Sequence, residues 1–408
     1  MNASHKMPDK DPHAVAAKPM PRALIFAMAT GAGLSVANIY YNQPMLGEIE
    51  ANFGTRIGGL VPMITQLGYA LGLFCLVPLG DIVDRKKLIL TQFGLLALAS
   101  GLAGWSPNGW VLVAASLLIG ITACAAQQIV PFAAHLAPPE KRGAVVGNVM
   151  AGLLSGILLS RTLAGFVTSH AGWREMFLLG VPLVLFAAAW LAFALPSGRP
   201  EQPGKQPAAS RMSYGQLMLS LLHLWRELPE LRRAALTVSC LFASFSIFWT
   251  VLALRLQQPP FELGPDVAGL FGVVGAVGVA AAPLAGRIAD AKGPRRVILL
   301  GSLVALLAWA ILGLWPAIAG MVVGVVLLDF AMQAVLVSNQ HIIFALRADA
   351  RARINTLFMS SMFLGGAAGS ALAMLAWQMS GWAAVAGLGV ALSLFGLGFQ
   401  VFAKKHPA

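Results

Sequence analysis

Little in this chain of 408 residues suits it to water. Only 11% of its residues are charged, where a soluble domain usually carries about a quarter. Its three cysteines, Cys75, Cys124 and Cys240, all sit in apolar runs, so no disulfide framework or cysteine metal site is expected. No group of His, Cys, Asp and Glu has metal-ligand spacing, and no cofactor is expected. Histidine is no better placed for catalysis. His5, His13, His135, His170, His223 and His406 fall in tails, loops or the ends of apolar runs, so Ser/His/Asp groupings do not form. His341 is at most a proton-relay candidate. A phosphate loop is missing too. Gly269, Gly272 and Gly275 lie inside an apolar run, with no Lys-Ser/Thr and no preceding strand. Enzyme and ATP-driven readings therefore have no residues to rest on. The first 22 residues are polar and no short apolar segment with a cleavage site precedes the first long run, so a cleaved signal peptide is not expected.

What the chain has in abundance is apolar length. Hydrophobic residues make up 58% of it. A membrane helix needs about 20 mostly apolar residues, and twelve such runs occur: 23–44, 57–79, 88–105, 109–136, 143–167, 175–195, 234–256, 266–286, 297–313, 316–345, 354–378 and 382–403. The expected fold class is an all-α membrane protein with 12 transmembrane helices. The expected organisation is a tail (1–22), a six-helix bundle (23–195), a central loop (196–233), a second six-helix bundle (234–403) and a short tail (404–408). A net charge of +12 would suggest nucleic acid in a soluble protein. Here 24 of the 28 Lys and Arg residues fall in the two tails and in alternate loops on one side. That asymmetry places both termini in the cytoplasm, and no nucleic-acid partner is expected. The central loop opens on Pro196-Ser197-Gly198-Arg199-Pro200, a flexible composition. It continues with Leu217, Leu221 and Leu224 at helical spacing, which fits either an amphipathic surface helix or a loose tether with one sticky turn.

The chain also repeats itself. Gly80-Asp81-Ile82-Val83-Asp84-Arg85-Lys86-Lys87 echoes Gly286-Arg287-Ile288-Ala289-Asp290-Ala291-Lys292-Gly293-Pro294-Arg295-Arg296, with the glycines 206 apart. Gln127-Gln128 in the fourth run matches Asn339-Gln340 in the tenth. A basic residue follows each, Arg142 and Arg353. Trp173 opens the sixth run and Trp382 the twelfth. A fixed repeat sets architecture, and two parallel copies of six spans is an arrangement found among transporters.

Carried by this doubled loop and the twelve runs, the sequence resembles the major facilitator superfamily over essentially its whole length. The family motif reads Gly-x-Leu-Ala-Asp-Arg-x-Gly-Arg-Lys. The second copy keeps Gly286, Asp290, Gly293, Arg295 and Arg296, with Ala291 in place of the first arginine. The first keeps Gly80, Asp84 and Arg85 and lacks the internal glycine, where Lys87 stands. Tyr40-Tyr41-Asn42-Gln43-Pro44, Gly156 to Thr162, Phe248-Trp249-Thr250 and Leu328-Asp329 resemble a bacterial drug- and metabolite-efflux branch. The Gly-Pro pattern that drug antiporters often carry in span five is absent.

The resemblance implies alternating access, efflux of small organic compounds in exchange for protons, and a monomer among lipids of a bacterial inner membrane. It also implies that Asp84 faces the start of span eleven near Asn355, and that Asp290 faces the start of span five near Gly143, as latches between the halves. Asp81 and Lys86 are further loop candidates. A uniporter or importer, and a receptor on the same frame, are the alternatives.

Two residues stand out within the spans. Asp329 is the only acid placed deep in a run, where it costs roughly 2.5–3.5 kcal/mol to insert. It is a candidate for the coupling proton, a cationic substrate or a structural pair. Arg161 lies at a similar depth, so the two can pair across the halves, or Arg161 can reach the outer interface. By resemblance, spans one, four, seven and ten line the cavity, offering Asn38, Tyr40, Tyr41, Gln127, Gln128, Trp249, Gln333, Asn339 and Gln340. These suit a moderately apolar or weakly cationic substrate. Helix–helix hydrogen bonding and, for the aromatics, an interfacial belt are the competing roles.

Overall fold

A computed structural model describes residues 20–196, 213–279, 286–288, 291 and 293–401. In lipid every backbone polar group must be satisfied within the chain, and apolar runs of this length meet that demand as helices. The helices are α1 (Arg22–Ala37), α2 (Leu46–Phe53), α3 (Thr55–Leu76), α4 (Arg85–Gly104), α5 (Gly109–Ala123), α6 (Ala125–Leu136), α7 (Arg142–His170) and α8 (Trp173–Ala194). They continue as α9 (Tyr214–Glu227), α10 (Pro229–Gln257), α11 (Pro265–Val279), α12 (Pro294–Leu314), α13 (Ile318–Leu346) and α14 (Arg351–Val401).

Their bounds depart from the predicted runs in two places. The run 109–136 spans as one unit but is interrupted by a turn at Cys124 (ψ −5°), after which α6 begins. The run 23–44 is helical only to Ala37 and finishes in turns that carry Tyr40 to Pro44. The last two runs stay separate, as predicted: α14 is two helices that meet at Ser380 and Gly381, where the backbone leaves helical geometry and the φ of +59° suits glycine. Counting α14 as two spans, α5 with α6 as one, and the shorter α1 and α11, the described helices supply the twelve spans.

Small residues set the packing within each half. Gly33 of α1 meets the backbone of Gly152 and Gly156 in α7. Gly365 and Gly369 of α14 meet the backbone of Ser239 and Ala243 in α10. Each pair of glycines is four apart, so one helix face loses its side chains and the backbones approach. The halves then join along α3 with α14 and α7 with α11. The hydrogen bonds between these bundles run from Gln66 to Ser370 (2.7 Å), Ser246 to Gln66 (3.2 Å), Thr162 to the Gly269 carbonyl (3.1 Å) and the Asp266 N–H to Ser169 (3.0 Å). Tyr69 packs on Phe363 with ring centroids 4.4 Å apart. Thr162, Ser169, Asp266 and Gly269 lie toward the helix ends away from the basic loops, whereas Gln66, Ser246 and the Tyr69–Phe363 pair lie near mid-helix.

In the central segment, α9 carries a capping box between Ser213 and Gln216 and buries Leu217, Leu221 and Leu224. Leu219 and Leu222 stay exposed. The Tyr214 hydroxyl donates to the Cys75 carbonyl at 3.1 Å, fastening α9 to the end of α3. The proline-rich part, residues 1–19 and the C-terminal tail lie outside the described residues.

Candidate functional site

Arg161 sits on α7 and is 2% exposed. Its Nε donates to Gln43 Oε1 at 2.7 Å. Its guanidinium carbon lies 4.6 Å from the Tyr40 ring centroid and 3.9 Å from that of Trp249. Arg161 therefore does not snorkel: two aromatic faces, one from each half, enclose it. Such a cation–π contact contributes about 2 kcal/mol when desolvated. The turns after α1 make this possible. The turns after Ala37 carry both Tyr40 and Gln43 against α7.

Asp329 on α13 is 5% exposed and also adjoins Trp249. A Cβ on Gly275 would stand 3.1 Å from Asp329 Oδ2 and 3.3 Å from Trp249 Cζ2, and one on Gly272 would stand 3.0 Å from Arg161 Cβ. Glycines one turn apart thus let α11 lie against Arg161, Trp249 and Asp329 together. The two charges are near enough to act on each other. No ion pair of 4.0 Å or less joins them among the described residues. Arg161 Nη2, Trp249 Nε1 and Asp329 Oδ2 are all buried with no hydrogen-bond partner. Buried polar atoms are nearly always satisfied, so three orphans around one ring mark a place where another molecule can bond. On the Gln43 side the space among Pro44, Arg161, Trp249, Leu252 and Ala268 has no room for a water-sized sphere.

The other predicted lining residues separate into two groups. Asn38 accepts from Ser100 at 3.1 Å, and Tyr41 is 1% exposed against Gly180. Both are packed inside the N-terminal half, away from the charged centre. Burial also removes Tyr40, Tyr41 and Trp249 from an interfacial belt. Gln127 donates to Tyr69 at 3.4 Å, and Gln128 to the Leu76 carbonyl at 2.6 Å, closing the end of α3. Gln340 reaches only the Met359 sulfur at 4.0 Å, so the repeat does not give the two glutamines the same bond. Asn339 donates to Val335 in its own helix and leaves Oδ1 buried without a partner. Gln333 is half-buried. Gln43, Gln66, Gly272 and Gly275 were missed as site residues. Gln66, a lone amide in an apolar run, carried the same signal as Gln127 and could have been found.

In the first loop motif, Arg85 bonds the Gly80 carbonyl and Asp81, both at 2.9 Å. Asp84 accepts from the Lys87 N–H at 3.2 Å and caps α4. Lys86 donates to the Leu195 carbonyl at 2.6 Å, capping the end of α8, where the helix dipole favours a cation. Asp84 thus bonds within its own half here and not near Asn355, whose Oδ1 is buried without a partner. In the second copy, Gly293 takes a φ of +87° ahead of α12, and Arg295 pairs with Glu230 at 3.1 Å. Among the described residues Gly286 and Arg296 make no such contact, and Asp290 lies outside them. Arg142 opens α7 as an exposed residue. Arg353 Nη2 reaches the Asp349 carbonyl at 3.5 Å.

Two six-helix halves closing over a buried, charged and incompletely bonded centre define a membrane transport protein. The chain belongs to the Major Facilitator Superfamily, whose family model matches residues 25–370. It is 39% identical over 380 residues to the "Putative uncharacterized transporter YgaY" of Escherichia coli (strain K12), covering 92% of this chain and 94% of that protein. It is 31% identical over 359 residues to the "Probable transporter SCO4007" of Streptomyces coelicolor, covering 86% and 81%. Among solved structures, a bacterial homologue of the human lysosomal transporter Spinster superposes with a TM-score of 0.72 at 16% identity, over 94% of this chain and 95% of that one. The human organic anion transporter MFSD10 superposes with a TM-score of 0.69 at 17% identity, over 94% and 100%. At these identities the structures speak for the fold alone. The family makes the chain an integral membrane transporter rather than an enzyme.

Proposed function

We propose that this transporter exports small organic compounds by alternating access in exchange for protons, with Asp329 as the proton site. The observation that carries the reading is a buried carboxylate with an unpartnered oxygen, set across the interface between the halves from a buried arginine. A carboxylate at such depth is costly and is kept for function by default. In this reading the basic loops and both termini face the cytoplasm of a bacterial cell, because 24 of 28 Lys and Arg residues lie on that side. The bonds from Thr162 to Gly269 and from Asp266 to Ser169 are then on the outer side, and the substrate reaches Arg161, Trp249 and Asp329 from within. Asp84 and Asp290 serve as latches when the cytoplasmic ends come together.

Protonation of Asp329 removes the charge that offsets Arg161, so substrate and proton occupy the centre alternately. Purified protein in liposomes, under an imposed pH gradient, tests this. Asp329→Asn should cut gradient-driven flux at least tenfold while substrate exchange at equal pH persists. Gradient-driven flux at the wild-type rate in that variant would remove Asp329 from the coupling.

A further inference from the structure

The faces that would greet a cationic substrate are already taken. Tyr40 and Trp249, an aromatic pair that could otherwise form a cage for a cation, hold the guanidinium of Arg161 at 4.6 and 3.9 Å. A second cation placed there would meet the positive charge of Arg161 at close range in a poorly solvated site, where like charges repel far more than in water. Of the moderately apolar or weakly cationic substrate expected from the sequence, the cationic kind meets an unfavourable neighbour in Arg161.

The unmet bonds say what fits instead. Arg161 Nη2 and Trp249 Nε1 are donors without acceptors, and Asp329 Oδ2 is an acceptor without a donor. Arg161 and Trp249 together call for an oxyanion. A carboxylate matches the guanidinium fork, and charge-assisted bonds of that kind are roughly twice as strong as neutral ones. Asp329 calls for an N–H or O–H group, best a charged ammonium. Both ends flank the same indole ring, so the two demands fall within the span of one small molecule. Gly272 and Gly275 bring the backbone of α11 directly against this centre with no side chain of their own between.

We infer that the substrate is a zwitterion, with its carboxylate or comparable acid group on Arg161 and Trp249 and its ammonium group on Asp329. This rests on the transport reading above and adds the substrate class. A zwitterion supplies opposite charges to opposite charges and leaves the net charge of the centre at zero. A plain cation or plain anion leaves one buried charge unpaired, which is strongly disfavoured.

Binding to the purified full-length protein tests the inference, through ligand-induced shifts in thermal midpoint. The probes are the twenty protein amino acids and taurine. For each amino acid that responds, its methyl ester (cation only) and N-acetyl derivative (anion only) are added, with ethidium as the lipophilic cation. The expected result is that one or more zwitterions bind, and that each one-charge derivative binds at least about tenfold more weakly. Arg161→Gln should narrow the gap to the ester, and Asp329→Asn the gap to the N-acetyl derivative. The wild-type panel decides the matter even if a variant fails to fold. Preference for ethidium or the esters, or no response to any zwitterion, overturns the substrate class. If ethidium then proves to be moved in an Asp329-dependent way, the transport reading stands without it. Zwitterion binding unchanged in both variants would move the site elsewhere and overturn the assignment.

Discussion

Glu50, on α2 at the end away from the basic loops, has its Oε1 buried without a partner. Burial pushes its carboxyl up to about 7, from roughly 4.3 in an unfolded chain. Between those values the folded protein holds a proton that the unfolded chain has lost. Stability from this group is therefore present at low pH and is lost as pH rises towards and through about 7. Glu50→Gln should raise the thermal midpoint at pH 8, and the gain should shrink towards pH 5. A gain equal at both values would mean that charge burial is not the cause. Residue identity alone marked Asp329 and Arg161, because a charge in an apolar run is costly wherever the run goes. It did not mark Glu50 or Gln43, which fall in or beside a turn where polar residues are ordinary.

At the scale of elements, the loop motif joins two functions that substitution can separate. Asp84 caps α4 in this structure, and loss of such a cap costs about 0.5–2 kcal/mol. Asparagine caps as well as aspartate but carries no charge. Asp84→Asn should keep the wild-type thermal midpoint while slowing transport, and Asp84→Ala should lower both. Equal transport in wild type and Asp84→Asn would reduce the acid to a cap. The two copies of the loop differ, since only the second has a glycine at positive φ before its helix, so Asp290→Asn should slow transport to a different degree from Asp84→Asn. Helix number and order were legible because span length follows bilayer thickness. The break at Cys124 and the turns after Ala37 were not, because they leave the apolar pattern unchanged. The Gly152/Gly156 and Gly365/Gly369 pairs carried a small-xxx-small pattern in sequence, yet only packing says which neighbour each faces.

In the molecule as a whole, the two halves meet near mid-helix and toward the end away from the basic loops. A Cβ on Gly59 would stand 3.2 Å from Met374 Cβ, within a few tenths of the roughly 3.5–4.5 Å that a disulfide spans. With Cys75, Cys124 and Cys240 replaced by serine, the pair Gly59→Cys and Met374→Cys should cross-link under oxidation. The bond should fix this end shut and stop transport, which a reductant should restore. Full transport by the cross-linked protein would mean that the α3–α14 seam does not open in the cycle. The pairing of Gln66 with Ser370 and Ser246 lies along the same seam, so the seam opens only when those bonds break or find new partners.

The sequence by itself determined the solvent, the number of spans, the duplication and the family. Each follows from properties read locally along the chain: run length, the placement of Lys and Arg, and a motif repeated 206 residues apart. It also set Arg161 and Asp329 at like depth, because helical rise per residue is fixed. Only the tertiary structure decided that Arg161 lies between Tyr40 and Trp249, that α11 meets both charges through two glycines, and that three polar atoms there lack partners. Depth is a coordinate along one helix. Contact depends on how each helix is rotated and which neighbour it meets, and those are settled by side-chain packing between segments far apart in the chain.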